Sequence, residues 1–168
     1  MPEAWLTGPV AGVPPLLQPV AHALINALEQ MKDAVQGLDS GQLSMRPGGA
    51  ASIAYHVTHA AGSLDRLFTY ARGESLSDVQ RSALEAESAI GSRSVNEAEL
   101  VGEFESAVER AMAQLRDTSE QVLLERRGVG RAQLPSTVLG LLFHGGEHTA
   151  RHAGQIVTTA RIVRANTL

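Results

Sequence analysis

The chain of 168 residues contains no cysteine. That absence excludes disulfides, iron–sulfur clusters, thiolate zinc sites and a cysteine nucleophile. Aromatic residues are scarce, at 4%, so Ala and Leu must fill the core, which suits packed helices. No apolar run reaches the roughly 18 residues that a membrane span needs. No basic stretch precedes the first apolar residues, so a signal peptide is not expected and a cytoplasmic location is. The formal charge of −4 leaves no basic excess, which argues against a nucleic-acid partner. Glycine-rich phosphate loops after a strand and the Gly-x-Ser-x-Gly nucleophile turn are missing as well.

What is present suits a helical protein. With 43% hydrophobic residues the length is enough for one domain, residues 1–168, with a buried core. Residues 1–14 carry Gly8, Pro9, Gly12 and Pro14 and read as an extended lead-in. Pro15 suits a first helical turn. Apolar residues then recur at intervals of three and four from Leu16 to about Leu38, where Asp39-Ser40-Gly41 stops the pattern. Residues 41–50 read as a loop around Pro47-Gly48-Gly49. A second helix is expected from Ser52, its cap, to Ala71, with Gly73 closing it.

The connection 74–95 includes a short helix near Asp78 to Ala89. Ser94 to Glu97 has capping-box spacing and opens a third long helix that ends near Leu115. Residues 117–135 read as a second loop, with Arg126, Arg127 and Arg131 solvated. The fourth helix runs from near Ser136 to about Ala165. Four long amphipathic helices and no credible strand predict an all-α four-helix bundle. The long connection between the second and third helices lets those two run parallel.

Three of the six histidines, His144, His148 and His152, follow each other at four-residue spacing. Four helical residues turn through about 400°, so the imidazoles climb one face with a drift of about 40° per step. Measured from His148, the residues Leu141, Gly145, His152, Thr159 and Val163 fall within about 60°. His148 and His152 therefore lie in the apolar stripe, with His144 on its shoulder. Buried polar groups need partners, and two histidines one turn apart can share a metal ion.

Other metal patterns fail on residue order. A zincin needs Glu directly after its first histidine, whereas Gly145 follows His144 and Thr149 follows His148. Ferritin-like sites need Glu three residues before histidine, where Gly145 and Thr149 stand. Glu147 points about 100° away from His148, towards the rim. A mononuclear site remains, with two ligands from the fourth helix and one from the second. His56 lies nearer the second helix's apolar stripe, and His59 about 120° off its centre. Three neutral imidazoles with open positions form a catalytic type of site for a divalent ion such as zinc or nickel. His22, on the first helix, reads as an unrelated polar residue.

The second helix, SIAYHVTHAAGSLDRLFTYARGE, and the fourth, LGLLFHGGEHTARHAGQIVTTARIV, resemble the two signature helices of the DinB-like (damage-inducible) superfamily of four-helix-bundle metalloproteins. The matching motifs are His-x-x-His before Ala-x-x-x-x-Arg-Leu, and His-x-x-x-His-x-Gly-Gln. The likeness in helix order and loop lengths covers nearly the whole chain. It implies an up-down-down-up bundle, often a homodimer, and a metal site of His59, His148 and His152. His56, His144 and Gln155 then line the cavity or support the ligands. Some members are transferases or isomerases that use low-molecular-weight thiols. The resemblance therefore implies a metal-dependent enzyme acting on a small molecule by thiol transfer or hydrolysis, with no catalytic residue assigned. A non-enzymatic, stress-associated metal-binding dimer is the alternative, and a metal-free bundle with a polar core is a third.

Overall fold

The computed structural model describes residues 3–87 and 95–165. Among them are six α-helices: α1 (Gln18–Val35), α2 (Ser40–Ser44), α3 (Ile53–Ala71), α4 (Asp78–Glu87), α5 (Glu97–Asp117) and α6 (Val138–Ala165). The four long helices α1, α3, α5 and α6 carry the predicted periodic stripes. Those stripes meet in one core that holds Leu24, Met31, Leu64, Phe104, Leu115, Leu142 and Ile156, each nearly inaccessible to solvent. Most of the stability of such helices comes from packing their amphipathic faces, so burying the stripes is what holds them.

Helix directions follow from the cross-links. Val20, early in α1, faces Gly146, early in α6. Arg164, late in α6, donates to the Gln36 carbonyl just past α1 at 2.8 Å. Those two helices are therefore parallel. Leu64 and Phe68, late in α3, lie against Gly145 of α6, while His56, early in α3, meets His152 further along α6; this pair is antiparallel. Thr58 reaches Glu103, and Gln114 donates to the Phe68 carbonyl, so α3 and α5 are parallel. Lys32 pairs with Glu105, and Glu97 accepts from the Gly37 amide, so α1 and α5 are antiparallel. In chain order the long helices run up, down, down, up. Each packs on two of the others: α1 and α3 both contact α5 and α6.

Local chemistry sets the ends of α3. Ser52 Oγ accepts from the Tyr55 amide at 3.2 Å, as an N-cap does. At the other end Gly73 has φ of +80°. Its amide bonds the Tyr70 carbonyl and that of Glu74 bonds the Thr69 carbonyl, which closes the last turn.

The structure departs from the sequence reading in five places, the first being the lead-in 1–14, which is not simply extended but holds a 3-10 turn at Ala4–Leu6. Asp39 does not end a helix: it caps α2, accepting from the Gln42 amide while Gln42 bonds back to its own. The expected loop 41–50 thus holds most of α2 and a 3-10 turn at Pro47–Gly49. The cap of α5 is Asn96 with Glu99, not the Ser94–Glu97 pair; Ser94 itself lies outside the described residues, as does the end of the predicted Asp78–Ala89 helix. Residues 126–137 are not a loop, because β1 (Arg126–Val129) pairs antiparallel with β2 (Leu134–Thr137). Four-residue strands that include Gly128 and Pro135 show no alternating apolar pattern, so periodicity could not reveal them. Arg127 is not simply solvated: its Nε donates to the Ala71 carbonyl at 2.9 Å and ties this hairpin to the end of α3.

Candidate metal centre

Alpha-helical rise brings His148 and His152 of α6 into stacked positions, their ring centroids 4.5 Å apart. Helix α3 runs against them in the opposite sense and inserts His59. One ring nitrogen from each of His59, His148 and His152 lies within 4.8 Å of the other two. Glycines let α6 pack closely on α3 at Gly145 and on α1 at Gly146. A Cβ on Gly145 would sit 2.8 Å from the Phe68 ring, and one on Gly146 would sit 3.1 Å from Val20 Cγ1.

His59 and His148 face each other through their Nε2 atoms at 3.1 Å. Two imidazole nitrogens bound to one zinc at about 2.0–2.1 Å stand about 3.3 Å apart at a tetrahedral angle. The pair is therefore already near bridging distance. His148 Nδ1 is buried and has no hydrogen-bond partner. A buried polar atom left in that state costs about 1–3 kcal/mol. A close set of three imidazoles fits a divalent ion by donor type, number and spacing.

The other nitrogens are occupied. His59 Nδ1 lies 2.8 Å from Glu87 Oε2, and the Tyr55 ring stacks parallel on His59 at 5.5 Å. His152 Nδ1 lies 3.0 Å from His56 Nδ1, which leaves Nε2 of His152 for a ligand. His56 is buried, and it supports His152 rather than joining the cluster of three. His144 is half exposed, with its Nδ1 3.2 Å from Glu147 Oε2. Gln155, expected to line the cavity or support a ligand, is exposed. His22 bonds the Gly8 carbonyl at 3.0 Å, away from the cluster.

Burial and mutual repulsion disfavour the charged forms of His152, His148 and His56. Burial first, and then the charges of His148, His59, His56 and Arg151, push the His152 pKa down to about 3. Burial also lowers His148 and His56, each with help from His59. Glu87 stays ionised. Its burial opposes charge, but hydrogen bonds from His59 and Arg66 outweigh that and hold its pKa below the usual carboxylate range. Arg66 Nη1 contacts Glu87 Oε1 at 2.5 Å. Neutral imidazoles keep the lone pairs that metal binding requires.

Glu87 and Gly62 were not singled out from the sequence, and Arg66 entered only as the arginine of the Ala-x-x-x-x-Arg-Leu motif. Glu87 closes a polar helix whose composition reads as a solvated face. A signal for the other two exists: Gly62 and Arg66 follow His59 by three and seven residues, on the same face of α3. The remaining arginines near the site have ordinary partners, such as Arg151, which grips Glu147 one turn away.

No curated protein matches this chain. The crystal structure of a conserved protein from Enterococcus faecalis is similar with a TM-score of 0.71, over 89% of this chain and 97% of that one. The two are 17% identical, so this likeness speaks to the fold. Among the described residues no helix is long and apolar enough to cross a membrane. A family model described as the DinB superfamily matches residues 23–156. That span takes in α3, α5 and all three clustered histidines, and on it the chain belongs to the DinB superfamily.

Proposed function

We propose that this protein is a metal-dependent enzyme that transfers or adds a small thiol to an electrophile, with hydrolysis as the related alternative. The observation that carries this reading is the cluster of His59, His148 and His152, with one ring nitrogen of each within 4.8 Å of the other two. Those three residues would hold the ion, and imidazole donors favour zinc or nickel among the divalent metals. A bound divalent ion supplies Lewis acidity, lowering the pKa of water or a thiol brought to it.

The chain supplies no cysteine nucleophile of its own, which favours a reacting group that arrives from solution. Its residues would position and deprotonate that group. His56 occupies Nδ1 of His152 and keeps the ring turned. His144, exposed beside the cluster with Nδ1 against Glu147, has Nε2 free to take a proton from an incoming thiol. The test is thiol consumption with glutathione, bacillithiol and mycothiol against a panel of electrophiles. Zinc- or nickel-loaded protein should turn over well above the His152→Ala variant, which lacks one of the three donors that would hold the ion. Equal rates in the two would replace the enzyme reading with that of a non-enzymatic metal-binding bundle.

A homodimer is part of the same proposal. Trp5, Leu6, Leu16 and Phe143 are large apolar side chains, each about 60% exposed, and a second copy would cover such residues. Sedimentation at micromolar concentration should give twice the monomer mass; a strictly monomeric profile would remove the dimer.

A further inference from the structure

Glu87 reaches the metal cluster from α4, a short polar helix outside the four-helix frame. It is 6% exposed and makes two contacts, one through each carboxylate oxygen. Room for this arrangement comes from Gly62. A Cβ there would lie 2.6 Å from Glu87 Oε1 and 2.8 Å from Arg66 Nη1. The space left by one missing methyl group on α3 is filled by the carboxylate–guanidinium pair.

Hydrogen-bond logic then fixes where the protons sit. An ionised carboxylate only accepts, so His59 Nδ1 must carry the hydrogen. In the neutral ring, which has one hydrogen, Nε2 of His59 then keeps its lone pair, turned towards His148. The 3.1 Å contact between the two Nε2 atoms therefore needs the hydrogen on His148. That in turn puts a lone pair on His148 Nδ1, the buried nitrogen without a partner. Every contact in the chain is consistent with one tautomer of His59, the one that presents Nε2 to an ion.

We propose that Glu87, braced by Arg66 and admitted by Gly62, is the positioning residue of the site and locks His59 in the Nδ1–H tautomer. Helix α4 is thereby part of the metal centre and not merely a connection. A carboxylate behind a ligating histidine orients the ring and strengthens the lone pair, and losing such a partner costs about 10- to 100-fold in metal affinity. The proposal rests on the metal reading for its purpose but not for its geometry.

The experiment is long-range proton–nitrogen correlation NMR of the histidine rings in metal-free protein at pH 8, together with Zn2+ titration against a competing chelator. Wild-type His59 should show Nδ1–H alone. Glu87→Ala should give mixed tautomers and a ~10- to 100-fold loss of zinc affinity. Gly62→Ala should reproduce both effects. It keeps every ionisable group and improves helix propensity, so it remains informative if Glu87→Ala folds poorly. On the His59→Ala background, Glu87→Ala should cost nothing further. An Nε2–H tautomer in the wild type, or unchanged tautomer and affinity in the folded Gly62→Ala variant, overturns the assignment. A wild type that binds no zinc sinks the metal reading, while the tautomer measurement still decides whether Glu87 controls His59.

Discussion

Replacing His148 by alanine should take the divalent-metal content of the purified protein from about one ion per chain to near zero. The argument is geometric. His148 stands between its neighbours, with Nε2 3.1 Å from that of His59 and its ring 4.5 Å from that of His152. Removing it leaves two donors, and these cannot complete a three-histidine site. His56→Ala is expected to behave differently. His56 bonds His152 through Nδ1 and lies outside the set of three. Its loss should weaken affinity by no more than the ~10- to 100-fold typical of a supporting partner, leaving stoichiometry intact at saturating metal. Elemental analysis of wild type, His148→Ala, His59→Ala and His56→Ala makes the comparison. Near-stoichiometric metal in His148→Ala, or collapse in His56→Ala with retention in His59→Ala, would show that the ligand set is wrong.

The metal-free protein should lose stability steeply as pH falls below about 6.5. In the unfolded chain the histidines titrate near their ordinary value of 6.5, whereas in the fold His152 is pushed down to about 3. Between those two values the unfolded chain binds a proton that the folded chain refuses. Stability therefore rises with pH across the window and falls on acidification. His152 alone should remove about 2 kcal/mol between pH 7.5 and 5. His56 and His148 are shifted in the same direction and add to this loss. Denaturant unfolding at pH 7.5, 6 and 5, in the presence of a chelator, measures it. His152→Gln, which cannot titrate, should flatten the profile. A wild-type stability unchanged between pH 7.5 and 5 would mean that the cluster takes up protons without strain. Saturating zinc should raise stability at pH 7.5 and add less at pH 5, because protons compete for the same lone pairs.

Much of the architecture was legible because it depends on local periodicity. The stripes through Leu24 and Met31, Val57 and Leu64, Phe104 and Leu115, and Leu141 and Val163 each recur at helical spacing, and all of these residues are buried. Spacing likewise placed His148 and His152 on one face of α6, since an α-helix allows nothing else at i and i+4. The caps at Ser52 and Gly73 were readable for the same reason: their chemistry acts within a few residues. Periodicity favoured His56 over His59 for the third position, while the family motif implied His59. The structure brings His59 to the cluster, with His56 one step behind it.

Only the tertiary structure decided the rest. Whether His56 or His59 meets the pair on α6 depends on the rotation of α3 against α6, which Gly145 with Phe68 and Leu64 sets through contacts over 70 residues apart. Glu87 sits in a polar helix with no mark of burial, and becomes part of the site only because α4 folds back over α3. The hairpin at 126–137 forms from two strands too short to show alternation. Periodicity records which face of an element is apolar; it does not record which neighbour that face will meet. The chemistry of this centre lies in those meetings, in His56 against His152, His59 against His148 and Glu87 against both His59 and Arg66.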